Sequence, residues 1–106
     1  MKNKKLQFNY MHQAIQLLKK IPRGKVATYK EMARVCDTSP RAIGRIMAGN
    51  IDPVNYPCYK VVASSGELTG YSVPGGIKKK RALLEQDGVR FIGGLVDPKY
   101  FYTFEK

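Results

Sequence analysis

Apolar positions recur at helical spacing through the first half of the chain and at shorter, broken spacing through the second. Between Phe8 and Lys20, Met11, Ala14, Ile15 and Leu18 fall at i, i+3, i+4 and i+7, which predicts an amphipathic helix. Ile21-Pro22-Arg23-Gly24 interrupts it. Val26 to Glu31 opens a second helix: Thr28 and Glu31 have capping-box spacing, and Met32, Val35 and Cys36 supply its inner face. After the short turn Asp37-Thr38-Ser39, Ser39 is a good N-cap with Pro40 at the first helical position. The third helix runs to about Ala48 and stops at Gly49-Asn50, burying Ile43, Ile46 and Met47. Arg41, Arg45 and Ala48 form the opposite stripe. Two short helices joined by a tight turn, the second presenting arginines outward, make a helix-turn-helix pattern; a solvated basic helix face is the other reading.

Past Asn50 the pattern changes. Asp52, Pro53, Asn55 and Pro57 predict a loop, and Cys58 to Val62 a short β-prone run. Ser64-Ser65-Gly66 predicts a turn, Leu68 to Ser72 a second short extended piece, and Val73 to Gly76 another loop. Ile77 to Asp87 predicts the last long helix, with Ile77, Leu83 and Leu84 inward and Gly88 as its left-handed stop. Val89 to Ile92 and Leu95 to Phe104 read as extended, with Asp97-Pro98 turning between aromatic-rich pieces.

With 106 residues, 43% of them hydrophobic, the chain can bury one core, so a single domain over 1–106 is expected. No run approaches the roughly 20 apolar residues of a membrane span, and the polar interruptions after Leu6 are not those of a signal peptide. The expectation is a soluble, cytoplasmic, nucleoid-associated protein without a membrane partner. The net charge of +11 makes nucleic acid the leading class of partner, ahead of anionic membranes. One histidine and two cysteines leave no zinc set, and neither metal nor other cofactor is expected. Cys36 reads as a small buried hydrophobe, and His12 as a helix-flank residue.

The most specific signal is a series of short matches in order. Ile21-Pro22-Arg23-Gly24-Lys25-Val26, Thr28-Tyr29, Arg41-Ala42-Ile43-Gly44, Gly49-Asn50, Pro57-Cys58-x-Lys60-Val61-Val62, Ser65-Gly66, Gly70-Tyr71, Gly75-Gly76 and Leu83-Leu84 resemble the C-terminal domain of O6-alkylguanine-DNA alkyltransferases and alkyltransferase-like proteins. The resemblance implies a mainly α fold with short β pieces, a winged-helix-like DNA-binding domain whose helix-turn-helix enters the minor groove. It further implies that Arg41 fills the gap left by a flipped nucleotide and that Tyr29 rotates the target phosphate. Ala42, Gly44, Ala48 and Gly49 would then let DNA approach closely, with Arg45 and Lys60 also at the DNA; ordinary helix packing is the alternative reading of the small residues. Asn50 corresponds to a hinge between recognition helix and active-site turn, and Pro53, Val61, Tyr71 and Ser72 to positions lining the base pocket. Cys58 corresponds to the sulfur that accepts the alkyl group once, with Lys60 and the Lys78 to Arg81 run as sources of field. The physics agrees, since a base inside the stack must be extruded before its O6 substituent can be reached.

Two departures bear on activity. Where the family has histidine after the cysteine this chain has Tyr59, and Asp87 stands where a glutamate completes the proton relay. A neutral phenol is a poor base near neutrality. The reading adopted is a single-turnover alkyltransferase with Cys58, Tyr59 and Asp87 at its catalytic centre. The alternative is a non-enzymatic protein that recognises O6-alkylguanine and recruits excision-repair proteins. The tail from Gly94 to Phe101 resembles the ending of the short alkyltransferase-like members, and the N-terminal domain of longer members is expected to be absent. A plain helix-turn-helix regulator is a third reading, in which Cys58 has no purpose. The protein is expected to act as a monomer.

Overall fold

The computed structural model describes residues 12–70 and 74–105. A helix over residues 12–17, α1, tightens into a 3-10 turn at Leu18–Lys20 before the chain breaks at Ile21. There follow β1 (Ala27–Thr28), α2 (Tyr29–Cys36), α3 (Pro40–Ala48), a 3-10 turn at Cys58–Lys60, β2 (Val61–Val62) and α4 (Gly76–Gln86). A hairpin of β3 (Phe91–Ile92) and β4 (Leu95–Val96) and a 3-10 turn at Pro98–Tyr100 complete the order. The fold is mainly helical with short strands, as expected, although several boundaries move. Among the described residues no helix is long and apolar enough to cross a membrane.

The helix-turn-helix forms where the caps predicted it. Thr28 accepts a hydrogen bond from the Glu31 amide at 2.9 Å and starts α2. Asp37 ends that helix in the left-handed region (φ 56°), which Asp tolerates better than most residues, and its amide returns to the Ala33 carbonyl. Ser39 then caps α3 by accepting from the Ala42 amide at 3.1 Å, with Pro40 in the first turn. Ile43 and Met47 are buried, Ile46 is half-buried, and Arg41, Arg45 and Ala48 are exposed.

The start of α2 corrects one expectation. Residues 26–28 are extended rather than helical, because Ala27–Thr28 pairs in parallel with Val61–Val62, Ala27 opposite Val61. Successive strand residues point to opposite faces, so this small sheet divides two cores. Ala27 and Val61 join Leu18, Met32, Ile43, Met47 and Cys58 on one side. Val26 and Val62 join Leu84, Val89 and Val96 on the other. Cys58–Lys60, expected to be β-prone, is instead a 3-10 turn leading into that strand.

Glu31 completes only half of the predicted capping box. Its carboxylate accepts from Arg34 at 2.9 and 2.7 Å and from the Phe104 amide at 2.7 Å, while Arg34 donates to the Phe104 carbonyl at 2.8 Å. The pair thereby holds the C-terminal tail on α2. The Arg34 hydrogen bonds hold the Glu31 carboxyl below the usual carboxylate range, with burial opposing them. A depressed folded-state pKa contributes stability above the unfolded pKa and loses it as pH falls through the folded one. Glu31→Gln should therefore cost about 1–3 kcal/mol at neutral pH. The deficit should close below about pH 4. Urea melts at the two pH values check this; a pH-independent deficit would contradict it.

The tail itself lies beside Val26, whose amide donates to the Tyr100 carbonyl at 2.9 Å and whose carbonyl accepts from the Tyr102 amide at 2.7 Å. The β3–β4 hairpin turns through Gly93 and Gly94, both at positive φ, the conformation that two-residue hairpins favour. It hangs on Gly66: a Cβ there would lie 2.8 Å from the Val96 carbonyl oxygen. The inner face of α4 also differs from expectation. Leu84 is fully buried, but Ile77 is 43% exposed and Lys80 only 1% exposed. The second core gathers around the C-terminal half of α4, at Leu84 and Val89, and leaves Ile77 in the first turn outside it.

Candidate active site and recognition helix

Cys58 owes its position to the proline before it. Pro57 (φ −75°, ψ 78°) centres an inverse γ-turn in which the Cys58 amide donates to the Tyr56 carbonyl at 2.8 Å. The 3-10 turn then closes with Lys60 N–H to Pro57 C=O at 3.2 Å, and β2 anchors its far end. The near end is tied to the recognition helix by Asn50. Its Nδ2 donates to the Tyr56 carbonyl at 2.7 Å and its Oδ1 accepts from the Asp52 amide at 3.1 Å. Asp52 orders the rest of the loop, accepting from Asn55 and from the Tyr56 amide, with Pro53 half-buried in the turn. One asparagine thus joins the end of α3 to the residue two before the cysteine.

The sulfur-bearing residue is 7% exposed and belongs to the first core. Val61, expected to line a pocket, is fully buried behind it in the same cluster. Tyr71 and Ser72, the other expected walls, lie outside the described residues. A groove of about 490 Å³ runs along the end of α3, between Ile15, Arg45, Asn50 and Tyr56. It lies on the recognition-helix side and is not lined by Cys58.

Two side chains converge on one carbonyl close to the cysteine. The Tyr29 hydroxyl donates to the Thr69 carbonyl at 3.5 Å, and the Lys80 ammonium donates to the same oxygen at 3.0 Å. Lys80 Nζ also lies 5.8 Å from the centre of the Tyr29 ring. Burial raises the Tyr29 hydroxyl above its ordinary pKa; the hydrogen bond to Thr69 opposes this and Cys58 adds a smaller upward push. Burial pulls Lys80 down to about 8, with Cys58 pushing back upward. The residue was visible in the sequence only as part of the run Lys78 to Arg81. Its spacing of four from Leu84 is the signal that separates it from its solvated neighbours.

The two departures meet each other. The Tyr59 hydroxyl donates to Asp87 Oδ2 at 2.5 Å, and Arg23 Nε stands 3.8 Å from Asp87 Oδ1. Arg23, unassigned from the sequence, thereby joins a network linking three segments. Lys60 corrects a further expectation. Its ammonium points inward to the Ile21 carbonyl at 3.2 Å, and the residue is 8% exposed, so it holds the break after α1 rather than a phosphate. Burial draws its pKa below the ordinary lysine value, with Asp87 opposing.

On the recognition helix, Arg41 and Arg45 are exposed, Ala42 and Gly44 half-buried, and Gly49 exposed. A Cβ added at Gly44 would meet nothing within 4 Å. Packing among the described residues therefore gives no reason for glycine at that position.

The family model for the DNA-binding domain of 6-O-methylguanine DNA methyltransferase matches residues 9–89. The chain is 49% identical over 71 residues to a methylated-DNA–protein-cysteine methyltransferase of Saccharolobus islandicus, covering 67% of this chain and 45% of that protein. It is 50% identical over 68 residues to the protein of the same name from Pyrobaculum aerophilum, covering 64% and 45%. It thus spans less than half the length of the curated relatives it matches. The crystal structure of the O6-methylguanine-DNA methyltransferase of Pyrococcus kodakaraensis superposes with TM-score 0.68 at 41% identity, covering 76% of this chain and 46% of that one. S. pombe Atl1, solved with damaged DNA containing O6-carboxymethylguanine, superposes with TM-score 0.76 over 90% of this chain and 95% of that one; its 24% identity speaks to the fold alone. The match over residues 9–89, together with these relatives, shows that the chain belongs to the family of the 6-O-methylguanine DNA methyltransferase DNA-binding domain.

Proposed function

We propose that this domain binds duplex DNA through α3 in the minor groove, receives O6-alkylguanine flipped from the stack, and takes the alkyl group onto Cys58 in a single turnover. The observation that carries the reading is the Asn50 clamp, which makes the exposed arginines of α3 and the turn bearing Cys58 one mechanical unit. Extruding a base costs a few kcal/mol and leaves a hole that a side chain can fill. Arg41 takes that role, with Arg45, Ala42 and Gly49 along the backbone. Gly44 keeps the helix surface low where DNA approaches. Tyr29, beside Thr69, turns the target nucleotide inward, and Pro53 borders the base with Val61 buried in the core that holds Cys58. Sulfur forms its bond to the alkyl carbon as the carbon–O6 bond breaks, and the thiol hydrogen ends on guanine. The charge of +11 makes this binding steeply salt-dependent. A monomer acting in the cytoplasm, at the nucleoid, fits this role.

The experiment is intact-mass measurement after incubation with a duplex carrying O6-methylguanine. A gain of one CH2 unit on the peptide containing Cys58 supports transfer. An unchanged mass under saturating lesion DNA supports the second reading, in which the chain recognises the lesion and recruits excision-repair proteins. One observation favours that reading: Tyr59 spends its hydroxyl hydrogen on Asp87, where the resemblance places a proton relay.

Arg41→Ala should weaken binding to the lesion duplex at least about tenfold, the cost of losing insertion into the stack. Lys79→Ala, on the exposed face of α4, removes one phosphate-range charge and should cost about twofold to threefold. Titrations at one salt concentration compare them; equal losses would count against Arg41 as the inserted residue.

A further inference from the structure

A cysteine that accepts an alkyl group must give up its proton as sulfur attacks, and here the residue after it is a tyrosine bound to a carboxylate. The phenol already donates its hydrogen to that carboxylate, which makes it a poor acceptor for the thiol proton. A different buried group interacts with Cys58 through its charge. Helix α4 packs against the 3-10 turn that begins at Cys58, and Lys80 is its one buried charged side chain, 1% exposed. Among the described residues no carboxylate forms an ion pair with it. Its surroundings are Cys58 from the 3-10 turn, Tyr29 from the start of α2, and the Thr69 carbonyl from the loop before α4.

We propose that Lys80 is the general base of the alkyl transfer, its neutral amine taking the Cys58 thiol proton as sulfur attacks the alkyl carbon. The inference rests on the transfer reading above. The sulfur–carbon bond forms, the carbon–O6 bond breaks with its electron pair left on guanine, and the new ammonium returns the proton to the guanine anion. Hydrogen thus moves from sulfur to base with no other reactant.

Two physical arguments support the assignment. Burial has brought Lys80 to about 8, so a usable fraction of it is the neutral amine near neutrality. General bases work best when their pKa lies near the operating pH. The Thr69 carbonyl accepts from Nζ at 3.0 Å and fixes its direction without neutralising it, as a carboxylate would. A role for Lys80 through charge alone differs in one respect. Arginine would serve it, whereas arginine stays protonated and cannot take a proton.

The test is the single-turnover rate of the full chain on an O6-methylguanine duplex at saturating protein, from about pH 6 to 9. Both Lys80→Arg and Lys80→Met should slow transfer about 100-fold or more near neutrality. The gap should narrow as rising pH generates thiolate without help. A wild-type rate in Lys80→Arg overturns the proposal, because charge alone then suffices. A buried lysine tolerates replacement poorly, so a second measurement leaves it in place: NMR titration of the Lys80 side chain in the wild type and in Cys58→Ser. The midpoint should fall when the thiolate is removed, and an unmoved midpoint overturns the pairing. If wild type gives no adduct with lesion DNA, the transfer reading fails on its own, and iodoacetamide then judges the pairing. Cys58 should react faster in wild type than in Lys80→Met near neutrality, and equal rates overturn it.

Discussion

Cys58→Ala should still bind an O6-methylguanine duplex in preference to an undamaged one, yet gain no mass from it. Removing one buried sulfur from a core position costs about 1 kcal/mol of stability, by analogy with deletion of a single buried heavy atom. Helix α3 should be unaffected, because its Ser39 cap and its arginines precede Asn50, whose bond to the Tyr56 carbonyl does not involve the sulfur. Chemistry and recognition therefore separate in this variant. Transfer falls to nothing, because Cys36, the other cysteine, is 4% exposed at the end of α2 and packed in the core. Two measurements on the same sample decide it: lesion affinity by titration and intact mass after incubation. An adduct persisting in Cys58→Ala would remove Cys58 as acceptor. Loss of lesion preference would mean that the sulfur itself reads the base.

Asn50→Ala should cut the transfer rate about 100-fold while lesion binding changes much less. The side chain makes two hydrogen bonds with opposite duties, one holding the Tyr56 carbonyl and one capping the Asp52 amide. Without them the Cys58 turn is no longer fixed to the end of α3, and a displacement of about 1 Å at a reacting atom can cost about two orders of magnitude. Two lost hydrogen bonds in a half-buried site also remove about 1–3 kcal/mol of stability. Asn50→Asp separates the two duties, because it keeps the oxygen that caps Asp52 and loses the donor to Tyr56. It should behave like Asn50→Ala in transfer and retain more of the stability. Single-turnover rates beside urea melts test both; a wild-type rate in Asn50→Ala would show that the turn is held by Pro57 and β2 alone.

Lys80 and the half-buried Tyr29 meet at the Thr69 carbonyl and interact with Cys58, while Lys60, two residues on, buries its ammonium against the Ile21 carbonyl. Among the described residues no buried side-chain nitrogen or oxygen lacks a hydrogen-bond partner. Buried polar groups are expensive unless satisfied. Here the Ile21 and Thr69 carbonyls, both in breaks between elements, supply the acceptors.

Local rules in the sequence were sufficient for the helix-turn-helix. Thr28, Ser39-Pro40 and the apolar spacing of Ile43 and Met47 act through neighbours one turn away, so α2, the turn and α3 stand where those residues place them. The order of short motifs likewise identified the family and singled out Cys58, since motif order survives without knowledge of contacts. Long-range pairing decided the rest. Residues 26–28 are extended because Val61 and Val62 lie beside them, more than thirty positions away in the chain. Lys60 turned inward and Ile77 outward for the same kind of reason: which face of a short element is buried depends on what packs on it, and these partners come from distant segments. The meeting of Tyr59 with Asp87, and of Lys80 with Tyr29 and Thr69, could not be read from spacing, because each contact closes a loop through the whole sheet and α4. Periodicity reports on a residue's own helix or strand, whereas proton chemistry depends on which charges and carbonyls arrive from elsewhere, and only the folded chain brings them together.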